Sequence, residues 1–408
     1  MFWDKPVESA LSNLKKNVSA PVRLVLWDGR EVDFSGEPKI TVRLKGVRAA
    51  QALMRPSFLS LAEAYIDGDA DLEGDLREAI RGAEAFTRAY PRPLFQSEGL
   101  TNARHTKSGD REAVQHHYDV SNAFYALWLD PRMVYSCAYF KDEGDSLEAA
   151  QLQKLDHICT KLRLAPGDKF LDIGCGWGAL AMRAADKFGV HATGITLSEN
   201  QVELANRRIR DAGLQDRCRV LLQDYRDTPG EGVYDKIASV GMFEHVGLRN
   251  LPVYFSAVRR LLREAGLFLN HGITTSDVRS RAVGLGAGEF IGRYVFPQGE
   301  LPHLHLVVRD MSEQNLEVHD IEGLRAHYAK TLGMWSDNFE RRLPEAVAAS
   351  SERTARIWRL YLAGCAHAFE QGWTSIYQIL ATKQTKPGRA ALPLTRDWIY
   401  RDPAQRDE

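Results

Sequence analysis

The stretch LDIGCGWGAL, residues 171–180, constrains the fold of this chain more than any other part of the sequence. An apolar run leads into three glycines, Gly174, Gly176 and Gly178, and the pattern that follows is helical. Glycine allows a tight turn and lets a ligand approach the backbone, and the next helix presents free N–H groups at its N-terminus. This order predicts a ligand-binding turn at the edge of a sheet. The alternative is a tight turn that binds nothing.

Strand and helix patterns alternate after residue 150. Apolar stretches such as DKFLDIG, VHATGIT and YDKIASV are separated by amphipathic stretches such as GALAMRAADKF. This alternation predicts an α/β domain, at 113–400, with a parallel, doubly wound sheet. A glycine- and aromatic-rich segment at 274–312 interrupts the alternation, and we expect it to form a lid or binding loop. Two further strand patterns follow, LEVHDIE and TSIYQILATK.

The spacing of the glycines indicates which ligand the loop would hold. The spacing is GxGxG, whereas dinucleotide-binding proteins carry GxGxxG. About 20 residues on, where those proteins place an acid that binds the ribose, this chain reads GITLSENQ. Glu199 in that stretch lies past the end of the strand. An S-adenosylmethionine pocket fits this pattern better than a nicotinamide dinucleotide pocket.

The N-terminal residues, 1–86, have the pattern of a separate small α+β domain. APVRLVLWDGREVDF alternates apolar and polar residues around Asp28-Gly29, which predicts a hairpin. ITVRLKG predicts another strand, and the stretch that starts at Leu59 predicts a helix, a turn, a strand and a second helix.

A linker rich in proline, glycine and polar residues is expected at 87–112. Its residues 87–111 contain five basic and two acidic residues, a net charge of +3. One interpretation is a solvated connector. The other is a basic strip for anionic lipid headgroups, each basic residue contributing about 1 kcal/mol near such a surface.

Bulk composition excludes several classes of protein. The formal net charge of −1 argues against a nucleic-acid-binding protein. The five cysteines are widely spaced and suggest neither disulfides nor a metal site, as in a reducing cytosol. No apolar run approaches the ~20 residues of a membrane span. We therefore expect a cytoplasmic protein without a metal that could lie on a membrane surface.

Seven motifs in order make the chain resemble the cyclopropane-fatty-acyl-phospholipid synthase family, close to the mycolic acid cyclopropane synthases. The resemblance runs from HHYDVSNAFYALWL at 116–129 to the last strand, and the first hundred residues resemble the extra domain of the phospholipid-acting branch. The motifs are YSCAYF, LDIGCGWG, GITLS-NQ, GMFEHVG, NHGI, RYVFPQGELP and HYAKTLGMW.

The resemblance implies a class I methyltransferase fold and a specific reaction. A methylene group passes from S-adenosylmethionine to the cis double bond of an acyl chain in a membrane phospholipid, and bound bicarbonate acts as the base. It also implies a homodimer at the inner face of the membrane. The implied bicarbonate ligands, four of them also catalytic, are Cys137, Glu244, His271, the backbone of Ile273, and Tyr328, and Cys365 is a further implied catalytic residue. The implied cofactor-binding residues are Tyr135, Ser136, Asp172, Gly174, Gly176, Gly178, Thr196, Leu197, Gln201 and Tyr225.

The chemistry explains why such residues are needed. An alkene attacks the methyl group only when both are held in line, and the carbocation that forms must be shielded from water. A base then removes a proton so that the ring can close. A thiolate would repel bicarbonate, so we predict a neutral thiol at Cys137. Aromatic faces can stabilise the cation, and the candidates are Tyr118, Phe124, Tyr125, Trp128, Tyr139, Phe140, Phe290, Tyr294, Phe296 and Trp335.

Several alternatives stay open. Ring-forming members more often have threonine where Gly272 stands, and the C-terminal tail extends past the expected end, so a methyl- or methylene-branched product is an alternative to the ring. A silent lipid-binding protein and a small-molecule methyltransferase are rivals of other classes. Among single residues, Glu244 could pair with His245 in a loop, and His271, Tyr328 and Cys365 could be ordinary core residues.

Overall fold

The computed structural model describes residues 4–90, 94–95, 105–107, 109–110, 121–384 and 392–400. The chain divides into two compact units. The first unit contains residues 1–101, 281–297 and 332–373, and the second contains residues 102–280, 298–331 and 374–408.

A four-stranded sheet with helices forms the N-terminal part of the first unit. Its strands lie in the order β2-β1-β3-β4, and β1 pairs antiparallel with β2 around Gly29, whose φ is 86°. The predicted hairpin and the later strand and helices are therefore confirmed. The elements are α1 (Asp4–Asn17), β1 (Val22–Val25), β2 (Glu31–Asp33), β3 (Ile40–Leu44), α2 (Val47–Met54), α3 (Phe58–Ile66), β4 (Ala70–Gly74) and α4 (Leu76–Arg88).

Later segments of the chain complete the first unit, which the sequence did not indicate. Arg356 reaches Asp71 at 3.1 Å, Arg359 reaches the hydroxyl of Tyr65 at 2.6 Å, and partly buried pairs of this kind hold distant segments together. The compact unit therefore extends beyond the predicted domain 1–86, and residues 281–297 of the expected insertion belong to it. The later helices are α10 (Ala287–Tyr294), the C-terminal part of α12 (Arg325–Arg341), α13 (Leu343–Ala349) and α14 (Glu352–Glu370).

A seven-stranded sheet with helices forms the second unit. The strand order is β10-β11-β9-β8-β5-β6-β7, and all neighbours are parallel except where β11 runs against β9 and β10. The predicted doubly wound sheet is confirmed, with one antiparallel strand that was not predicted. The strands are β5 (Lys169–Ile173), β6 (His191–Thr196), β7 (Cys218–Leu222), β8 (Tyr234–Val240), β9 (Leu262–Thr275), β10 (Leu316–Gly323) and β11 (Thr374–Lys383). The helices are α5 (Asn122–Ala126), α6 (Leu147–Lys161), α7 (Ala179–Phe188), α8 (Glu199–Asp211), α9 (Leu251–Leu261), α11 (Leu304–Glu313) and α15 (Asp397–Tyr400).

The direction of chain progression reverses at β5. From β5 the chain proceeds to β6 and β7 on one side, and then continues with β8 and β9 on the other. Phe170 and Leu171 of β5 are fully buried, each in a different apolar cluster, because helices cover both faces of the sheet. Ligands of such sheets bind beyond the carboxyl ends of the strands at this reversal point, which here is the end of LDIG.

The C-terminal tail packs on the second unit. Ile399 is 3% exposed, and Arg396 forms an ion pair of 2.8 Å with Asp320 of β10. The C-terminal residues that extend past the end expected from the resemblance therefore have a structural role. None of the helices in the described ranges is both long and apolar enough to cross a bilayer.

The expected linker is described only in part. Arg88 pairs with Glu84 at 2.6 Å and Lys107 pairs with Asp227, so both basic groups have acidic partners within the protein. These pairs favour the connector interpretation for the two residues. The other basic residues of the linker, Arg92, Arg104 and Arg111, lie outside the described residues.

Candidate functional site

A pocket lies at the carboxyl ends of the central strands of the second unit. Its walls come from the loops after β5, β6, β7 and β8 and from the segment 133–136. This is the position expected for the ligand of a doubly wound sheet. Of the ten predicted cofactor-binding residues, those that line the pocket are Tyr135, Ser136, Asp172, Gly174, Gly176, Thr196, Leu197, Gln201 and Tyr225.

The glycine loop opens the pocket to a ligand. Gly174 and Gly176 have φ values of 77° and 54°, which favour glycine. A Cβ at Gly176 would meet no atom within 4 Å, so the backbone there faces open space that a ligand can use. Gly178 does not line the pocket. Its missing side chain instead lets Ala205 of α8 approach, since a Cβ there would lie 3.2 Å from the Ala205 side chain.

Asp172 places a buried carboxyl group on the wall of this pocket. The residue is 2% exposed, and its Oδ1 atom has no hydrogen-bond partner among the described residues. Burial raises the pKa of Asp172 to about 7, although nearby Lys154 opposes the shift. A cationic or N–H donor from a ligand would satisfy this oxygen, so the wall fits the ammonium group of S-adenosylmethionine.

Two side chains of α6 hold the segment that carries Tyr135 and Ser136. Gln151 donates to the backbone oxygens of Val134 and Ser136, the latter at 2.9 Å, and Lys154 donates to the hydroxyl of Ser136 at 2.6 Å. Both α6 side chains are buried. Sequence reasoning missed Lys154, because in the sequence it is one of several polar residues on a helix.

Aromatic rings pack around the same segment. The ring centroid of Tyr135 lies 5.3 Å from that of Trp128 and 5.7 Å from that of Tyr125, and Trp177 lies 5.1 Å from Tyr125. Trp177 also donates from its indole nitrogen to Asn122 at 2.8 Å. The site therefore has a rigid aromatic wall. Among the other aromatic candidates, Phe290, Tyr294, Phe296 and Trp335 belong to the first unit, and Tyr118 lies outside the described residues.

Glu244, which follows β8, and His271 of β9 are two further buried polar residues near the strand ends that carry the pocket. Gly241 lines the pocket and donates from its backbone nitrogen to the carbonyl of His271 at 2.8 Å. Glu244 Oε1 accepts a hydrogen bond of 2.7 Å from the backbone nitrogen of Ile273, which fixes the carboxyl group against β9. Burial raises the pKa of Glu244 to about 7, and the bond from Ile273 opposes the shift.

Two atoms of these residues lack partners. Glu244 Oε2 and His271 Nε2 are buried, and neither has a hydrogen-bond partner among the described residues. Burial also holds the pKa of His271 well below its usual range, so the ring is neutral. An unsatisfied buried polar atom costs about 1–3 kcal/mol. Each of the two atoms therefore has an unused hydrogen-bonding capacity of the kind that a bicarbonate ligand would require.

Cys137 and Tyr328 are linked through one backbone carbonyl, that of Leu324, which directly precedes α12. The Cys137 thiol lies 3.8 Å from the carbonyl of Leu324, the same carbonyl that accepts the backbone N–H of Tyr328 at 3.0 Å. Cys137 is fully buried, and burial raises the pKa of its thiol far above the usual range. The predicted neutral thiol is therefore supported.

Cys365 is placed differently from the other predicted catalytic residues. It lies on α14 in the first unit, whereas Cys137, Glu244, His271 and Tyr328 belong to the second. The residue is half-buried, and desolvation raises the pKa of its thiol to about 12, so the thiol is protonated at neutral pH. Its catalytic role stays a prediction.

A cluster of charged residues at the pocket was not predicted. Arg226 follows β7 and reaches Asp110 of the expected linker at 2.9 Å and Asp224 at 2.5 Å. Asp110 also accepts from His105 at 3.1 Å, with the histidine protonated on that nitrogen. Part of the linker thus forms a wall of the pocket, which only the tertiary structure reveals.

Comparison with known proteins gives two matching family models and many relatives. A model of the mycolic acid cyclopropane synthetase family matches residues 105–379, and a model of a domain of unknown function matches residues 11–89. A probable fatty acid methyltransferase of Pseudomonas putida is 49% identical over 389 residues, which cover 95% of this chain and 98% of the relative. The cyclopropane-fatty-acyl-phospholipid synthase of Escherichia coli K12 is 35% identical over 364 residues, with coverage of 88% and 91%.

Solved structures agree with these relatives. A cyclopropane synthase from Mycobacterium tuberculosis superposes with a TM-score of 0.64 at 34% identity, covering 67% of this chain and 98% of the other. A mycolic acid cyclopropane synthase in complex with SAH and CTAB gives a TM-score of 0.63 at 36% identity with the same coverage. The chain therefore belongs to the mycolic acid cyclopropane synthetase family, and it is an S-adenosylmethionine-dependent methyltransferase with the class I fold.

Proposed function

We propose that this methyltransferase adds a methylene group across the cis double bond of an unsaturated acyl chain in a membrane phospholipid, forming a cyclopropane ring. The observation that carries the proposal is the pair of unsatisfied buried atoms, Glu244 Oε2 and His271 Nε2, beside the cofactor pocket. Methyl transfer to an alkene places no acidic N–H or O–H group of the acceptor at the site. A reaction that must also remove a proton from the new methyl group needs a base there.

The cofactor pocket supports the first half of the reaction. S-adenosylmethionine, when bound, supplies the electrophilic methyl group. Gly174 and Gly176 keep the backbone accessible, Tyr135 and Ser136 border the opposite wall, and the Thr196 hydroxyl fixes Gln201 through a bond of 2.6 Å. Trp128 and Tyr125, which are fully buried, exclude water behind Tyr135. Water exclusion protects a carbocation on the acyl chain from hydration.

For the second half we propose a bicarbonate site made by Glu244, His271, the backbone of Ile273, Cys137 and Tyr328. Bicarbonate, when bound there, supplies the base for the proton of the new methyl group. His271 can donate from Nε2 and Cys137 from its neutral thiol, whereas Glu244, when ionised, accepts the proton that the bicarbonate itself carries. Cys365 belongs to the first unit, and we assign it no step in the reaction.

The choice of phospholipid rests on the N-terminal residues. The phospholipid synthase of Escherichia coli aligns with 88% of this chain, whereas the mycolic acid cyclopropane synthase structure covers 67%. The additional aligned length supports a phospholipid substrate over a mycolic acid. The proposed enzyme acts as a homodimer at the inner face of the membrane, where its substrate lies.

A branched product is the second candidate, because of one packing contact. A Cβ at Gly272 would lie 1.8 Å from the ring of Phe243, so this site cannot carry the larger residue without rearrangement. Phe243 immediately precedes Glu244, and Gly272 immediately precedes Ile273. A change of the backbone at this contact would shift two of the proposed bicarbonate ligands and therefore the position of the base. The same carbocation could then lose a different proton and give a methyl or methylene branch.

The test is incubation of the purified protein with S-adenosylmethionine and vesicles of cis-unsaturated phosphatidylethanolamine, in buffer with bicarbonate. The released fatty acids are then analysed by mass spectrometry and proton NMR. A gain of one methylene group with upfield ring protons supports the ring. Vinylic or branched-methyl signals support the second candidate, and no gain in mass despite cofactor binding rules out phospholipid as the acceptor.

A further inference from the structure

Helix α6 carries two fully buried lysines in very different surroundings. Lys161 is 0% exposed and pairs with Glu322 at 2.5 Å and with Asp320 at 3.4 Å. Lys154 is 1% exposed and borders the cofactor pocket. Its ammonium group donates to the Ser136 hydroxyl at 2.6 Å and forms no salt bridge with any described carboxyl group.

Burial of a lysine without a charged partner is energetically unfavourable. An ammonium group has three hydrogen-bond donors, and moving it out of water costs several kcal/mol unless it meets acceptors and negative charge. The described acceptor, Ser136, is neutral. The acidic and thiol groups that face Lys154 are Asp130, Asp172 and Cys137, none of them close enough for an ion pair. The fold therefore holds a positive charge at the pocket wall without compensating it locally.

Asp172 lines the same pocket and has the opposite requirement, since its carboxyl group needs a hydrogen-bond donor. Its Oδ1 atom is buried and unsatisfied, so the wall has an acceptor in need of a donor beside an ammonium group in need of an acceptor. The amino-acid part of S-adenosylmethionine carries both an ammonium group and a carboxylate. The two side chains are complementary to that zwitterion.

We propose that Lys154 is a cofactor-binding residue that recognises the carboxylate of the amino-acid part of S-adenosylmethionine. The proposal rests on the assignment of this pocket to the cofactor, but not on the identity of the lipid or of the product. A buried hydrogen bond to a charged group contributes about 1.5–3 kcal/mol. Its loss therefore weakens binding of the carboxylate-bearing ligand by about 10- to 100-fold.

The experiment compares two ligands that differ only in the carboxylate. Isothermal titration calorimetry gives the affinities of the full-length protein for S-adenosylhomocysteine and for its decarboxylated analogue, which keeps the ammonium group. The wild-type protein should prefer S-adenosylhomocysteine. Lys154→Met should lose about 10- to 100-fold in affinity for it while keeping its affinity for the analogue, so that the preference disappears.

Lys161→Met is the matched control, since it removes an equally buried lysine from the same helix away from the pocket. It should keep the wild-type preference. If Lys154→Met weakens both ligands equally, Lys154 is merely structural and the proposal is wrong. If the wild-type protein binds neither ligand, the pocket assignment itself fails, which is a different result.

A measurement on the wild-type protein covers the case in which Lys154→Met does not fold. Burial lowers the pKa of Lys154 to about 8, so its charge is lost as the pH rises through that value. Asp172, whose pKa is about 7, is mostly ionised by pH 8, and the Cys137 thiol stays neutral, so the loss of charge on Lys154 dominates above that pH. The preference for S-adenosylhomocysteine should therefore fall between about pH 8 and pH 9. A preference that is constant over this range contradicts the proposal.

Discussion

Gln378 of β11 lies opposite His271 of β9, and its side-chain nitrogen is 3.1 Å from His271 Nδ1. Both residues are fully buried. Because the amide nitrogen donates, Nδ1 accepts and the ring proton resides on Nε2. The antiparallel pairing of two strands that are far apart in sequence thus sets the tautomer that places the ring proton on Nε2.

Replacement of Gln378 should therefore act on chemistry more than on cofactor binding. In Gln378→Leu the ring loses its orienting donor, and we expect methylene transfer to fall by about 10- to 100-fold, as for other residues that orient a functional histidine. Nitrogen-15 NMR of His271 should show a mixture of tautomers in place of one. Thr382→Val is the control, because it removes a 2.7 Å bond to His319 from the same strand. Equal activity of Gln378→Leu and wild type would show that the tautomer is irrelevant.

Glu244→Gln should change the pH dependence of stability in a defined direction. The folded-state pKa of Glu244 is raised to about 7, above the unfolded value of about 4.5. Between these values the folded protein binds more protons, so wild-type stability falls as the pH rises through this window and is level above it. The variant does not titrate there. Its free energy of unfolding relative to wild type should rise by up to about 3 kcal/mol between pH 4.5 and pH 7.

Urea denaturation of both proteins at a series of pH values measures this difference. Activity should be lost in the variant at all of them, because the carboxylate acceptor is missing. A relative stability that stays constant with pH would mean that Glu244 is ionised normally in the folded protein.

Gly272→Ala should destabilise the protein through Phe243. The added methyl group would overlap the phenyl ring, and overpacking of a buried site costs about 1–3 kcal/mol. The double variant Phe243→Leu/Gly272→Ala should recover much of that loss, because leucine vacates part of the space. Thermal unfolding measures both effects. Gly364→Ala, at a helical glycine with nothing within 4 Å of the added atom, is the control and should not destabilise.

The same double variant also tests the product. If the Phe243–Gly272 contact directs the proton that is lost, the ratio of ring to branched product should change in the double variant. If the wild-type protein and the double variant give identical product ratios, the Phe243–Gly272 contact does not determine the product.

The cysteine thiols should resist modification in the folded protein. Cys137, Cys159, Cys175 and Cys218 are buried, Cys365 is half-buried, and desolvation raises the pKa of all five thiols. The thiolate is the reactive form, so a disulfide reagent at pH 8 should react slowly in buffer and rapidly in guanidinium chloride. A thiol that reacts at once in the native protein would contradict the neutral, enclosed Cys137.

Sequence patterns correctly predicted those elements whose conformation is determined by residues close together in the chain. The strand–glycine–helix pattern at 171–180 and the turn at Asp28-Gly29 specify their conformations through backbone freedom and periodicity, and both are as expected. Most pocket residues could also be named, because the carboxyl ends of parallel strands meet at one edge of the sheet.

Long-range relationships could not be predicted in this way. Lys154 and Lys161 look alike in the sequence, and only packing places one at the pocket and the other against Glu322. The addition of 332–373 to the first unit likewise depends on pairs such as Arg356 with Asp71. Gly178 was assigned to the cofactor from its motif, but the close approach of α8 explains it.

The most direct test of the proposed reaction uses S-adenosylmethionine whose methyl group carries three deuterium atoms. With cis-unsaturated phospholipid vesicles, removal of a proton from the new methyl group predicts that the product retains two of the three deuterium atoms, both on a ring carbon seen by deuterium NMR. Retention of all three in a branched methyl group would contradict the ring and the role of the buried Glu244–His271 group as the site of the base.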